Sequence, residues 1–158
     1  MRIGIATARG LTASLGLPAT GVCTLDALAR GIEGPGAKLV VCDARRGEVF
    51  AALYAEVGEE RLWEPFVCRP EQLLERLEAL AEPPRAAGSG AVRFRQELTR
   101  YGIPIADDAD PVHRVAARHI CALAAAGGAA TAGPLDPIYL RPPDAERWRE
   151  RDSVPRPE

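Results

Sequence analysis

The stretch from Glu48 to Glu56 sets the strongest limit on how this chain can fold. Val49, Phe50, Ala51, Ala52, Leu53 and Tyr54 follow one another without a charged residue. Successive side chains of an extended chain point to opposite faces, so this run is apolar on both. A strand of that kind belongs at the centre of a sheet that is covered on both sides. Lys38 to Asp43 reads as a second strand. Ala44-Arg45-Arg46-Gly47 between them reads as a hairpin turn, with Gly47 free to adopt positive φ. Leu62 to Val67 is a third strand, and Arg85 to Ala91 a short one that runs into Gly88-Ser89-Gly90.

Helical patterns alternate with these strands, which argues an α/β fold. Met1 to Leu15 reads as a helix that stops at Gly16, with Pro18 just beyond. Ala6, Gly10 and Ser14 recur every four residues and form a flat ridge that another helix could approach closely. Pro18 to Cys23 is a short extended run. Thr24 is placed to cap a second helix, with Asp26 in its first turn and Leu25, Leu28, Ala29 and Ile32 as its apolar stripe. Further helices are expected over 69–80, with Pro70 in the first turn, over 92–101, and over 113–126 up to Gly127-Gly128. Beyond Pro142 the chain is expected to be mobile.

Composition narrows the function. With 158 residues the chain can form one domain or two small lobes, and 47% apolar with 27% charged residues is ordinary for a globular protein. A net charge of −2 and a pI near 5.8 argue against a chain that grips nucleic acid by its own charge. No apolar run is long enough to span a bilayer, and the N-terminus does not read as a signal peptide, so a cytoplasmic location is expected. Cys23, Cys42, Cys68 and Cys121 form no C-x-x-C pair and have no histidine at metal-ligand spacing. Buried thiols, and neither a metal nor a cofactor, are the expectation.

Catalytic constellations are hard to find. His113 and His119 fall on different sides of one expected helix and suit structural or surface roles. Asp107, Asp108 and Asp110 lack the glycine and distal glutamate of a calcium loop, so a solvated acidic loop is expected. Gly88-Ser89-Gly90, after a strand and before a helix, could present N–H groups to a phosphate, but it lacks a third glycine and a lysine; a plain tight turn fits better. Asp43 beside Arg45 and Arg46 could hold a metal or simply pair with arginine across the hairpin. Asp43, Gly88 and Gly90 are therefore the candidate nucleotide-binding set.

Five segments in order resemble one family. Arg2-Ile3-Gly4-Ile5-Ala6-Thr7-Ala8-Arg9-Gly10-Leu11 looks like the first long helix of the TsaB (YeaZ) family. Gly16-Leu17-Pro18 with the run from Gly21 to Ala29 is similar to its next strand and helix, and Asp43 to Tyr54 to its central hairpin. Gly88-Ser89-Gly90-Ala91 resembles its glycine turn, and Pro137-Ile138-Tyr139-Leu140-Arg141-Pro142 its closing motif. The resemblance implies an actin-like, Hsp70-like (ASKHA) two-lobed fold. It also implies a non-catalytic dimerisation subunit of the complex that makes N6-threonylcarbamoyladenosine in tRNA. In that complex the paralogue TsaD carries the catalysis, TsaE is an ATPase partner, and tRNA is met only through the complex. A homodimer is a further assembly, and a degenerate ASKHA-type phosphotransferase is the alternative function.

The family's aspartate-bearing first strand, its hairpin and its Gly-Pro-Gly-Ser-Phe-Thr-Gly loop have no counterpart here, so the first lobe is expected to be N-terminally truncated. The expected division is residues 1–35 as a remnant of the first lobe, 36–142 as the second lobe and 143–158 as a tail. The partner face implied by the resemblance and by the small-residue ridge comprises Ile3, Ala6, Thr7, Gly10, Leu11, Ser14, Leu25 and Leu28. Loss of the leading strands is expected to leave the central strand beside an unpaired edge with one face uncovered, and the chain only marginally stable.

Overall fold

The computed structural model describes residues 2–58, 60–127 and 135–141; the expected tail at 143–158 lies outside them. Four strands form one sheet: β1 (Lys38–Arg45), β2 (Glu48–Tyr54), β3 (Arg61–Cys68) and β4 (Arg85–Ala87), in the order β3-β2-β1-β4. β1 pairs antiparallel with β2, from Lys38 opposite Tyr54 to Arg45 opposite Glu48, and parallel with β4. β2 pairs antiparallel with β3.

The two-sided apolar run of β2 is used as the sequence demands. On one face Val49, Ala51 and Leu53 join Leu39 and Val41 of β1. They are packed under α3 (Pro70–Leu77), α4 (Ser89–Arg93) and α5 (Arg95–Arg100) through Leu73, Leu77, Ala91 and Leu98. On the other face Ala52 and Tyr54 join Val40 and Ala87 under Leu25, Leu28 and Ala29 of α2 (Thr24–Ala29), with Ile32 beyond it. The expected bare face and unpaired edge of this strand are therefore both corrected. β2 has a hydrogen-bonded strand on each side, and its residues except Glu48 and Phe50 are buried.

The boundary expected at residue 35 does not separate two cores, because α2 on its N-terminal side shares a core with β1 and β2. Three local expectations also change. Thr24 does not cap α2: Cys23 is the cap residue, and no side chain caps the helix there. The helix expected over 92–101 is two, broken at Phe94 (φ −106°, ψ 29°). The helix expected from His113 is a 3-10 turn at Pro111–His113, capped by the Asp110 side chain, followed after a break by α6 (Ala117–Ala126). Pro111 fixes the start of that turn, and the extended backbone of Arg114 and Ala116 stops it from running on. Among the described residues no helix is long and apolar enough to cross a membrane.

Candidate interaction surface

The first helix, α1 (Arg2–Leu15), differs from the rest of the molecule. It ends as its sequence predicts: Gly16 adopts φ 62°, and the Leu17 N–H donates back to the Thr12 carbonyl at 3.0 Å. At 100° per residue, Ile5, Ala8 and Thr12 share one side, and these are the half-buried positions. Ile3, Ala6, Thr7, Gly10 and Ser14 share the opposite side, and all five are exposed, as is Leu11 at its border. Ile3 is 84% and Leu11 56% exposed, so this outer side presents most of one aliphatic side chain and over half of another to solvent. A methyl group added at Gly10 would meet nothing within 4 Å. Arg9 ties the helix to the closing segment, donating to the Leu135 carbonyl at 2.8 Å and pairing with Asp136 at 2.5 Å.

The other two expected interface residues lie elsewhere. Leu25 and Leu28 are 5% and 3% exposed and belong to the core beneath α2, so their side chains are taken by Val40, Ala52 and Tyr54. The residue of α2 that reaches out is Asp26. Its carboxylate accepts the Tyr54 hydroxyl at 2.7 Å and two Arg61 N–H groups at 3.0 and 2.6 Å, joining α2 to β2 and to the edge strand β3. Burial, with Asp26 beside it, pushes the Tyr54 phenol far above its usual range; hydrogen bonding to the same carboxylate raises Arg61. Sequence reasoning saw Asp26 only as a helix-dipole residue. Its partners are 28 and 35 positions away, and nothing local announces them.

The candidate nucleotide-binding residues do come together, as a closed knot. Gly88 has φ 113°, and a Cβ there would stand 2.3 Å from the Val41 carbonyl oxygen; one at Gly90 would stand 2.9 Å from Cys42 backbone and from the Val41 side chain. Both glycines are thus required for the close approach of α4 to β1. The Gly88 N–H donates to Nδ1 of buried His113 at 3.2 Å, and the Ser89 hydroxyl accepts the Asp43 N–H at 3.1 Å. Asp43 accepts the Arg45 N–H at 2.8 Å on one oxygen and pairs with Arg93 at 2.8 Å on the other. Desolvation alone would raise the Asp43 pKa; the Arg45 N–H and the Arg93 guanidinium outweigh it and hold the carboxyl below its usual value.

His113 is structural, as expected, while His119 is half-buried on α6; the two lie on separate elements rather than on one helix. Asp108 pairs with Arg95 and Asp110 caps the 3-10 turn, so the acidic loop is partly engaged rather than merely solvated. The thiols are less buried than expected. Cys23, Cys42 and Cys68 are half-buried and Cys121 is exposed; burial pushes Cys42 and Cys68 up to about 11. No three His, Cys, Asp or Glu residues among those described could hold a metal ion.

A family model described as "TsaD: tRNA N6-adenosine threonylcarbamoyltransferase" matches residues 1–126. The tRNA threonylcarbamoyladenosine biosynthesis protein TsaB of Escherichia coli is 31% identical over 157 residues, covering 89% of this chain and 64% of that protein. The chain belongs to the TsaB/YeaZ family. An uncharacterized protein of Mycobacterium leprae is 33% identical over 149 residues, covering 92% of this chain and 35% of that one. The chain thus spans less than two thirds of the length of these curated relatives. Two solved structures share the fold. An uncharacterized Pseudomonas aeruginosa protein with similarity to peptidase YeaZ has a TM-score of 0.59 at 24% identity, covering 89% of this chain and 67% of that one. YeaZ from Pseudomonas aeruginosa has a TM-score of 0.55 at 23% identity, covering 87% and 67%. Together with the family model they indicate an actin-like, ASKHA-type fold over part of the chain. In this TsaB/YeaZ chain the closing segment also returns to the sheet: Leu140 packs on the α2 core, and Arg141 pairs with Glu48 at the start of β2.

Proposed function

We propose that this chain acts in tRNA threonylcarbamoyladenosine biosynthesis as a non-catalytic subunit that docks the outer side of α1 onto the catalytic paralogue TsaD. TsaE joins that assembly, tRNA is met through it, and the setting is the cytoplasm. The observation that carries the reading is the bare outer side of α1. Arg2 and Arg9 are the only charged residues of the helix, and the Thr7 and Ser14 hydroxyls of its outer side are turned onto the helix's own carbonyls. A helix that is apolar or small all round is normally covered on all sides, and here one side has no cover among the described residues. Ala6, Gly10 and Ser14 keep that side low enough for a partner helix to approach its backbone.

The non-catalytic part of the reading is supported by the knot around Asp43. Both carboxylate oxygens are engaged by Arg45 and Arg93, and the two glycines are filled by β1 rather than held open for a phosphate. In this reading α1 belongs to the first lobe, and the lobe boundary falls before α2 rather than at residue 35.

Gly10→Leu tests the docking. The substitution meets open space in the isolated chain and replaces a poor helix former, so the fold should not suffer. It should obstruct a helix contact and weaken TsaD binding by about 1–3 kcal/mol. Titration calorimetry against TsaD reads the difference. Unchanged affinity would place the interface elsewhere, and sizing of the chain alone separates TsaD docking from self-association.

A further inference from the structure

The α2 side of the sheet carries a second surface of different chemistry. α2, the β4 stretch Arg85–Ala87, the loop through Pro104 and Pro111 and the start of α6 enclose an open cleft of about 330 Å³. That lies at the lower end of small-molecule sites, roughly 300–1,000 Å³. The Gly88–Gly90 turn is not among its lining residues.

Its distinguishing feature is unmatched positive charge. Arg9, Arg61, Arg93, Arg95 and Arg141 each face a carboxylate. Arg85, Arg114 and Arg118 line the cleft, and among the described residues their guanidinium groups have no hydrogen-bond or ion-pair partner. Two carboxylates, Glu33 and Asp110, also line it, so three guanidinium charges stand against two negative ones. Burial lowers the pKa of His119, which also lines the cleft, and Arg118 and Arg30 lower it further against the opposing pull of Glu33.

The start of α6 adds donors to the same place. Ala116, its cap residue, lines the cleft and offers no side-chain oxygen, and no acidic residue stands in the first turn. Neither the cap residue nor the first turn of this ten-residue helix therefore supplies an anion to its positive end. Guanidinium forks match phosphate oxygens better than they match any neutral group. We propose that this cleft binds a small phosphate-bearing molecule, with Arg114 and Arg118 as its charge partners, Arg85 as a further cation of its lining and the first N–H groups of α6 as further donors. The site is independent of α1 docking, so either can fail without the other.

Titration calorimetry of the whole chain with pyrophosphate tests it, each run matched for ionic strength with sodium chloride. Saturable binding is expected, with affinity lowered by about tenfold or more in Arg114→Gln/Arg118→Gln. Arg100→Gln, on the exposed side of α5, should bind like the parent. Ala116→Asp is the second variant. Its carboxylate should cap α6 and occupy the anion position, so the protein should melt no lower than the parent yet lose binding. Three results would overturn the proposal: equal affinity in the double variant and the parent, binding that vanishes against matched chloride, or equal loss in Arg100→Gln. Tighter binding of a short single-stranded RNA than of pyrophosphate at equal phosphate concentration would overturn the small-molecule assignment.

Discussion

α1 and β2 both carry few charged residues, yet the molecule treats them in opposite ways. β2 is sandwiched: Leu53 and Tyr54 are each fully buried, on opposite faces, beneath different helices. α1 is half-buried along one side only, at Ile5, Ala8 and Thr12, and is held to the closing segment by an ion pair whose two side chains are 50% and 65% exposed. An exposed pair of that kind contributes only about 0–1 kcal/mol. Apolar sequence that the chain itself covers serves stability. Apolar sequence left bare on a regular helix is available to a partner.

The contrast can be broken at several points. The largest effect is expected from Leu53→Ala, which removes a fully buried side chain from the α3–α5 side of the sheet and should cost about 2–5 kcal/mol. Leu11→Ala on α1 should cost far less, about 0.5 kcal/mol, because that side chain is already more than half in water. Urea melts of the two variants give the comparison, and equal losses would show that α1 is part of the core. Asp26→Ala comes next. It strands the buried Tyr54 hydroxyl and leaves Arg61 with only its Glu64 pair, at a cost of about 2–3 kcal/mol, whereas Tyr54→Phe should cost about 1 kcal/mol.

Asp43→Asn should cost about 1 kcal/mol at neutral pH, since asparagine can still accept the Arg45 N–H but no longer pairs with the half-exposed Arg93. The sign of its pH dependence follows from the lowered folded pKa. The stability Asp43 contributes is fully present above its unfolded value of about 3.9 and is lost as pH falls through the folded value. Below about pH 4 the parent should therefore lose stability more steeply than Asp43→Asn, and the two melting curves should converge. The smallest effect belongs to the hairpin. Arg45 and Arg46 sit at φ 64° and 55°, conformations that cost a side chain with a Cβ roughly 1 kcal/mol. Arg46→Asn should raise stability by about 0.5 kcal/mol, because asparagine tolerates that region.

What could be read from the sequence follows from how local each signal is. The two-sided run Val49–Tyr54 and its Gly47 turn place β1 and β2 correctly, because a period of two and a turn residue are written within a few positions. Gly16 marks the end of α1 for the same reason. The ridge of Ala6, Gly10 and Ser14 is also legible, as is the outward direction of α1's larger side chains. Leu25 and Leu28 were misassigned because a stripe at helical spacing says that a helix has a covered side, but not whether its own sheet or a partner supplies the cover. The network of Asp26, Tyr54 and Arg61 and the cleft lined by Arg85, Arg114 and Arg118 join distant parts of the chain, so no window of sequence contains them. The breaks at Phe94 and after His113 escaped notice because neither is marked by a proline or glycine at the break itself. The buried His113 ring, held by the Gly88 N–H, anchors the second one.

Hydrogen exchange of the α1 amides, with TsaD absent and then present, tests the interface most directly. In the chain alone the amides of residues 2–15 should exchange much faster than those of β1 and β2, since α1 is covered on one side and the strands on both. On TsaD binding α1 should become protected while α3 and β3, on remote parts of the fold, keep their rates. A complex that forms with α1 exchanging as fast as before would contradict the assignment of this helix as the docking surface.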